Sequence, residues 1–356
     1  MKILYVTTVG GTMTFFKSII KELIEDGNIV DIATNNSVSK VQDFYYELGC
    51  KVFTISTSRS PTSSGNLRAV KQIREIAKDY DIVHCHTPLA AAATRLACKG
   101  LRKSGLKVVY TAHGFHFYQG APLKNWIIYY PIEKMCSRWT DLLITINKED
   151  YQLAQQKLKA SANMYIPGVG IDVKRFANTV VDKKKKRDEL AIPMECKMIL
   201  SVGELNRNKN HKLVIEALGR MNNDQIHYAI AGKGNQKENL QKLADNLNVN
   251  LHLLGYRSDV AELYKVADLF ILPSIREGLN VSTMEAMAAG CSVLVSKIRG
   301  NTDMVPAANC FSPFSVDEVV YQLERNVIEN GDFINGIDYS SINAILKEMY
   351  VSILSK

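Results

Sequence analysis

The chain is predicted to fold as two doubly wound α/β domains in tandem, and three observations carry that expectation. Short β-rich runs alternate with helical patterns along most of the 356 residues. The alternation breaks once, at residues 168–195, and then restarts, and a hydrophobic content of 46% supplies two buried cores. Strand and helix in strict alternation imply right-handed crossovers and a mostly parallel sheet covered on both faces.

In order, the first half reads "KILYVTTV", "TMTFFKSIIKELIEDG", "IVDIAT", "KVQDFYYELG", "KVFTIS", "NLRAVKQIREIAKDY", "DIVHCH", "LAAAATRLACKGLRKSG" and "LKVVYTAHG". A helical stretch from about Leu123 to Arg138 follows, then "DLLITIN", "KEDYQLAQQKLK" and "NMYIP". These runs make residues 1–170 one Rossmann-like domain. Residues 168–195 carry glycines, a proline and the basic run "KKKKR", which reads as a solvated surface segment. The second domain, 171–337, runs through "MILSVG", "NHKLVIEALGRM", "HYAIAG", "QKENLQKLADNL", "LHLLG", "DVAELYKVA", "DLFILPS", "VSTMEAMAAG" and "CSVLVS". A last helix, about 338–356, is able to pack back on the first domain. Ligands of such sheets bind beyond the carboxyl ends of the strands, so the site is expected between the domains.

Composition narrows the classes. No window of about 18 uncharged apolar residues occurs, and "MKILYVTTVGG" lacks the pattern of a secretory leader, so neither a membrane span nor a signal peptide is expected. Seven cysteines without a CxxC pair, most in apolar runs, fit a reducing cytoplasm. The net charge of +8 is lopsided. Residues 1–170 hold 21 Lys+Arg against 13 Asp+Glu, whereas 171–356 hold 23 of each. The excess in the first half suits an anionic partner, a membrane surface or a phosphate-bearing group. Nucleic acid is not expected, because the basic residues scatter over several helices.

"REGLNVSTMEAMAAG" (276–290) sets Glu277 in the loop after an apolar strand and Glu285 about one turn into the next helix. Amides of Asn280, Val281 and Ser282 open that helix, and free N–H groups there suit an anion such as a nucleotide diphosphate. "SVGELNRNKNH" offers Arg207 and Lys209 to a departing diphosphate, although a plain surface role for Arg207 remains open. Gly10-Gly11 after the first strand allows close backbone approach to a phosphate. His113 ends the strand "VVYTAH" at its carboxyl tip, while His84 and His86, two apart in a strand, share one face without a third ligand for zinc. "DYD" at 79–81 straddles a helix end and a strand entry, and reads as structural rather than as a metal site. A G-x-G-x-x-G spacing is missing from "VGGTMTF", which argues against a dehydrogenase. Trp126, Tyr129 and Tyr130, with Lys124, Lys134 and Arg138, would form an aromatic and basic interfacial face, or else pack into the core.

"EGLNVSTMEAMAAG" resembles the E-x7-E signature of the retaining nucleotide-sugar glycosyltransferases called family 4, which have the two-domain GT-B fold, and the likeness covers nearly the whole chain. It implies that Glu277 meets the donor sugar and Glu285 the ribose, with Gly278, Leu279, Asn280 and Val281 along the donor between them. His113 would lie beside the transferred sugar, Gly10 and Gly11 near the donor phosphates, the backbone at Tyr256 and Arg257 near the base, and His86 near the acceptor. Lys209 fits the family's lysine, but Glu204 occupies the place of its arginine, and Arg207 is the candidate to compensate. "VGELN-x-NKNH" is similar to a subgroup that builds bacterial capsules, exopolysaccharides and O-antigens. The implied activity is hexosyl transfer with retention, from a nucleotide sugar (a UDP-sugar) to a glycan on a polyprenyl diphosphate, without a metal or other cofactor, at the cytoplasmic face of the inner membrane and in contact with its anionic leaflet. A nucleotide-sugar isomerase or hydrolase of the same fold, like the UDP-sugar 2-epimerases, is the alternative.

Overall fold

A computed structural model describes residues 1–58, 60, 63–325 and 336–355. It divides into two compact units, Met1–Gly170 with Tyr339–Lys356, and Ile171–Asp338.

In unit 1 the parallel strands are β1 (Lys2–Val9), β2 (Ile29–Asn35), β3 (Val52–Thr54), β4 (Ile82–His86), β5 (Lys107–Ala112), β6 (Leu142–Thr145) and β7 (Ala162–Tyr165). They lie in the order β3-β2-β1-β4-β5-β6-β7, so the order reverses between β1 and β4. The central strands are buried over nearly their whole length, as a sheet covered on both faces requires. Their side chains join those of helices Gly65–Ile76 and Pro88–Cys98 in one core.

Of the two placements the sequence leaves open for the aromatics of helix Leu123–Ser137, the interfacial face and the core, the structure takes the core. Trp126, Tyr129 and Tyr130 pack inward on the unit 1 core, where rings of this size remove the most apolar area from water. Phe117 touches Trp126 at 5.5 Å and Tyr130 at 5.4 Å between ring centroids. Outward stand aliphatic side chains instead: Leu123 is 75% exposed, Ile127 66% and Ile128 51%, with Ile132 and Met135 also exposed. Glu133 of the same helix pairs with the buried Arg95 at 2.8 Å, and the Arg95 guanidinium lies 4.2 Å over the Tyr110 ring.

The helix Tyr339–Leu354 packs on unit 1. Its Asn343 amide donates to Ser18 Oγ and Glu22, and its Lys347 pairs with Glu22 and Asp26.

Unit 2 has a second all-parallel sheet, ordered β10-β9-β8-β11-β12-β13. Its strands are β8 (Lys197–Val202), β9 (Ile226–Ala231), β10 (Asn250–Gly255), β11 (Leu269–Leu272), β12 (Val293–Ser296) and the two-residue β13 (Cys310–Phe311), which no sequence pattern had marked. Lys183, Lys184 and Lys185 of the basic run are exposed, as a solvated segment requires, but the arginine that ends it is not. Lys183–Glu189 is a short helix capped by the Asp182 side chain. Its Arg187 is buried, donating to the carbonyls of Val266, Pro193 and Cys196 and to the Asp268 carboxylate. Every N–H of a buried guanidinium needs an acceptor, and the ends of neighbouring elements supply them.

Candidate active site

In unit 2 the loops that follow β8 and β11 meet. Ile275 N donates to Asn208 O at 2.8 Å, and Asn208 Nδ2 to Arg276 O at 2.9 Å. This exchange brings Lys209 and Glu277, 68 residues apart, to 2.8 Å between Nζ and Oε1. Both side chains are largely shielded, at 16% and 14% exposure, so the attraction is screened less than on an open surface. The backbone under Glu277 is held from below: Gly300, at φ +78°, lies so close to Gly278 O that a Cβ there would come within 2.0 Å of it.

The helix expected after this loop spans Val281–Ala288, and the Asn280 side chain caps it by accepting from Thr283 N at 3.0 Å. Leu279 and Asn280 are buried, while Gly278 and Val281 are half-buried. Glu285 accepts a hydrogen bond from the buried Tyr264 hydroxyl at 3.1 Å. Burial raises its pKa above the usual carboxylate range, and the Tyr264 bond and the Arg175 charge partly offset this. Glu277, Lys209 and the mouth of the capped helix are thus assembled on one edge of the sheet, beyond the carboxyl ends of β8 and β11.

Arg207 is exposed on the loop that carries Lys209, and among the described residues no carboxylate pairs with it. Glu204 is exposed and accepts from Asn206. Tyr256 is 75% exposed. The Arg257 guanidinium is committed elsewhere, to Asp259 and, at 2.6 Å, to Glu189. That bond to Arg257 is the chief reason the Asp259 carboxyl falls to about 2. A contact of Arg257 with a ligand would therefore be made by its backbone.

Unit 1 gathers a different cluster. His84 and His86 share one face of β4, their rings 4.1 Å apart, and Phe16 lies 4.1 Å from His86. His86 Nδ1 is 3.2 Å from His113 Nε2, while His86 Nε2 is buried with no partner among the described residues. His84 is held at both nitrogens, by Tyr350 Oη at 2.5 Å and Thr111 Oγ1 at 2.7 Å, and Tyr350 Oη also meets Tyr5 Oη at 2.7 Å. Burial lowers all three imidazoles, His84 to about 3 and His113 to about 4, and His86 well below its usual range, with its histidine neighbours adding to the shift. The cluster is neutral at neutral pH and is held together by hydrogen bonds rather than by charge.

Gly10 and Gly11 open a 3-10 helix, Gly10–Phe16. Their amides donate to Ser39 O and Ser39 Oγ, and a Cβ on Gly10 would strike Ser39 O at 2.3 Å. The close approach these glycines permit is to the chain's own loop. Sequence reasoning missed Tyr5, Thr111 and Tyr350. Nothing local marks them, for Tyr350 is 345 residues from Tyr5.

Comparison with known proteins agrees with both units. The family described as "Glycosyltransferase Family 4" matches residues 9–175, and "Glycosyl transferases group 1" matches 182–333. EpsD of Bacillus subtilis (strain 168) is 38% identical over 261 residues, 71% of this chain and 68% of that protein. The Escherichia coli UDP-Gal:alpha-D-GlcNAc-diphosphoundecaprenol alpha-1,3-galactosyltransferase is 29% identical over 276 residues, covering 72% and 70%. Among solved structures, Anabaena Alr3699/HepE in complex with UDP superposes with a TM-score of 0.80 at 19% identity, over 99% of this chain and 100% of that one. The sucrose-phosphate synthase of Thermosynechococcus elongatus gives 0.82 at 16%, over the whole of both chains. These two likenesses concern the fold. The chain belongs to the GT-B glycosyltransferases of the family 4-like kind.

Proposed function

We propose that this glycosyltransferase moves a hexosyl residue, with retention, from a UDP-sugar to a glycan carried on a polyprenyl diphosphate in capsule, exopolysaccharide or O-antigen synthesis. The observation that carries the reading is the Lys209–Glu277 pair beside the N-terminus of helix Val281–Ala288. A cation, helix amides and a shielded carboxylate side by side suit a diphosphate with a sugar attached. In this reading Glu277 binds the donor hexose and Glu285 the ribose. The acceptor class is supported by the printed names of relatives, which include the diphosphoundecaprenol galactosyltransferase above and the Campylobacter jejuni N,N'-diacetylbacillosaminyl-diphospho-undecaprenol alpha-1,3-N-acetylgalactosaminyltransferase, 24% identical over 325 residues.

In the transfer step the bond from the anomeric carbon to the UDP oxygen breaks, and the acceptor hydroxyl oxygen bonds to that carbon on the same face. The hydroxyl proton passes to the departing diphosphate. Lys209, the amides at the head of helix Val281–Ala288 and Arg207 stabilise the negative charge that builds on the leaving group. Those groups offset the charge without a divalent metal, so transfer should survive excess chelator. His113 and His86, neutral and buried, serve as hydrogen-bonding groups near the sugars.

The enzyme works at a membrane surface in this reading. Among the described residues no helix is long and apolar enough to cross a membrane. The outward aliphatic side chains of helix Leu123–Ser137, with exposed Lys124, Lys134 and Arg138, suit shallow contact with an anionic leaflet.

The test is a screen of UDP-, GDP- and dTDP-sugars for thermal stabilisation, since a ligand bound by the native state alone raises the melting temperature. It is followed by NMR of the product's anomeric configuration. A UDP-sugar that stabilises the protein and yields an axial product from an axial donor supports the reading; inversion, or an epimerised sugar formed from donor alone, defeats it.

A further inference from the structure

His86 Nδ1 and His113 Nε2 lie 3.2 Å apart, and the hydrogen bond between them can be made in two ways that give His113 opposite chemistry. A neutral imidazole has one proton, so one ring nitrogen donates and the other accepts, and both rings are neutral at neutral pH. If His86 Nδ1–H donates, His113 carries its proton on Nδ1. If His113 Nε2–H donates, His113 Nδ1 is a bare lone pair. Heavy-atom positions are the same for both tautomers, so the choice falls to what surrounds each ring.

His86 is 1% exposed and its ring is fixed. The Phe16 and His84 rings lie 4.1 Å from it, and Tyr5 stacks on it at 5.5 Å and 18°. His86 Nε2 is buried and has no hydrogen-bond partner among the described residues. Phe15, Phe16, Ile19, Ile166, Val169 and Leu346 wall the space about the cluster with carbon. The hydroxyls there are engaged, Thr111 Oγ1 with His84 and Tyr5 Oη with Tyr350. A proton on His86 Nε2 would therefore be a buried N–H with no acceptor, which folded proteins almost never keep, whereas an acceptor short of a donor is tolerated more often. With the proton on Nδ1 the donor has its acceptor in His113 Nε2, and only a lone pair goes unused. His86 is thus the donor of the pair.

The consequence passes to His113, which is half-buried just beyond β5. Its Nε2 accepts from His86, so its proton sits on Nδ1, and no hydrogen bond to Nδ1 is made among the described residues. A free neutral histidine in water prefers the opposite form, with the proton on Nε2. The fold holds His113 against that preference and leaves its N–H to an incoming oxygen.

We propose that His86 is a positioning residue: it holds His113 in the Nδ1–H form, so that His113 meets its ligand as a hydrogen-bond donor to an oxygen and not as a base. The tautomer stands on unit 1 by itself; its use in transfer rests on the reading above. There, neither His113 nitrogen has a lone pair for the acceptor's proton, because Nε2 is taken by His86 and Nδ1 is already protonated, so the departing diphosphate receives it. The test is nitrogen–proton correlation NMR of the histidine rings in the full chain, without ligand and at neutral pH, with the His113 signals assigned by their loss in His113→Asn. It should show His113 protonated at Nδ1 and bare at Nε2. His86→Leu should return His113 to the Nε2–H form. His86→Asn, whose amide N–H stands near the place of Nδ1–H, should keep the Nδ1–H form, and His86→Gln, whose amide stands near the place of Nε2, should not. In transfer assays His86→Gln should lower kcat about tenfold, the worth of one hydrogen bond, and His86→Asn should lower it less. A wild-type His113 protonated at Nε2, or an unchanged Nδ1–H form in His86→Leu, would overturn the proposal, as would equal kcat in His86→Asn and His86→Gln. Where a variant does not fold, the wild-type spectrum decides alone. The Nδ1–H form without transfer from any donor would instead count against the transferase reading and leave the assignment standing.

Discussion

The two units concentrate chemistry in opposite ways. Unit 2 places charge at its candidate site, the Lys209–Glu277 pair beside a helix N-terminus. Unit 1 keeps its candidate groups neutral, with three buried imidazoles joined to tyrosine and threonine hydroxyls; its buried Asp, Glu, Lys and Arg side chains, among the described residues, are the Arg95–Glu133 pair, Asp31 and Asp150. The difference teaches where each kind of ligand belongs. A diphosphate needs fixed counter-charge, whereas a sugar hydroxyl needs oriented donors and acceptors without net charge.

Removing charge from the unit 2 site gives the largest effect. Glu277→Ala should reduce kcat by about 10³-fold, comparable with loss of a preorganised charge-stabilising group, and leave Lys209 without its partner. Near-normal turnover would show that the charged site is not where transfer occurs. Next comes the structural charge of unit 1. Glu133→Gln leaves a buried guanidinium uncompensated and should cost about 3–5 kcal/mol of stability, read by urea unfolding, while UDP-sugar binding persists under native conditions. An unchanged unfolding midpoint would mean that this pair is not what holds helix Leu123–Ser137 in place.

Acid tests the neutral cluster. His84 titrates at about 3 in the folded chain and His113 at about 4, against about 6.5 when unfolded. Below pH 6.5 the unfolded state therefore binds more protons. Stability is unaffected above that pH and falls as the pH drops toward 4, by up to about 1.4 kcal/mol per unit for each such histidine. His84→Gln should shallow this slope in pH-dependent urea melts; an unaltered slope would place the titration elsewhere. The smallest effect is that of Tyr350→Phe, which removes one hydroxyl between Tyr5 and His84. It should cost about 1 kcal/mol and shift the His84 ring nitrogen resonances in NMR, whereas unmoved resonances would detach helix Tyr339–Leu354 from the cluster.

How legible each region was follows from how local its parts are. "REGLNVSTMEAMAAG" is a loop and the helix it leads into, in fifteen consecutive residues shortly after β11, so local pattern alone sets Glu277 and Glu285 eight positions apart on either side of a helix mouth. Lys209 was legible for the same reason, as part of the loop after β8. The helix Leu123–Ser137 was legible as a helix, but which of its sides meets the core was not. Its aromatics and its aliphatics are both apolar, and periodicity cannot say which set a core will take. Arg187, at the end of the lysine run, was misread because only the distant carbonyls and the Asp268 carboxylate around it make its burial affordable in free energy. The Gly10-Gly11 turn was found, but not Ser39, which occupies its amides.

By itself the sequence determined the alternation of strands and helices, the break near residue 170 and the acidic pair on its loop and helix, because each depends on residues within one or two turns of chain. Tertiary structure alone decided that Lys209 meets Glu277 and that Tyr350 returns to hold His84. Those contacts join segments 68 and 266 residues apart. Only parallel strand pairing and the packing of helices on the sheets carry information across such distances.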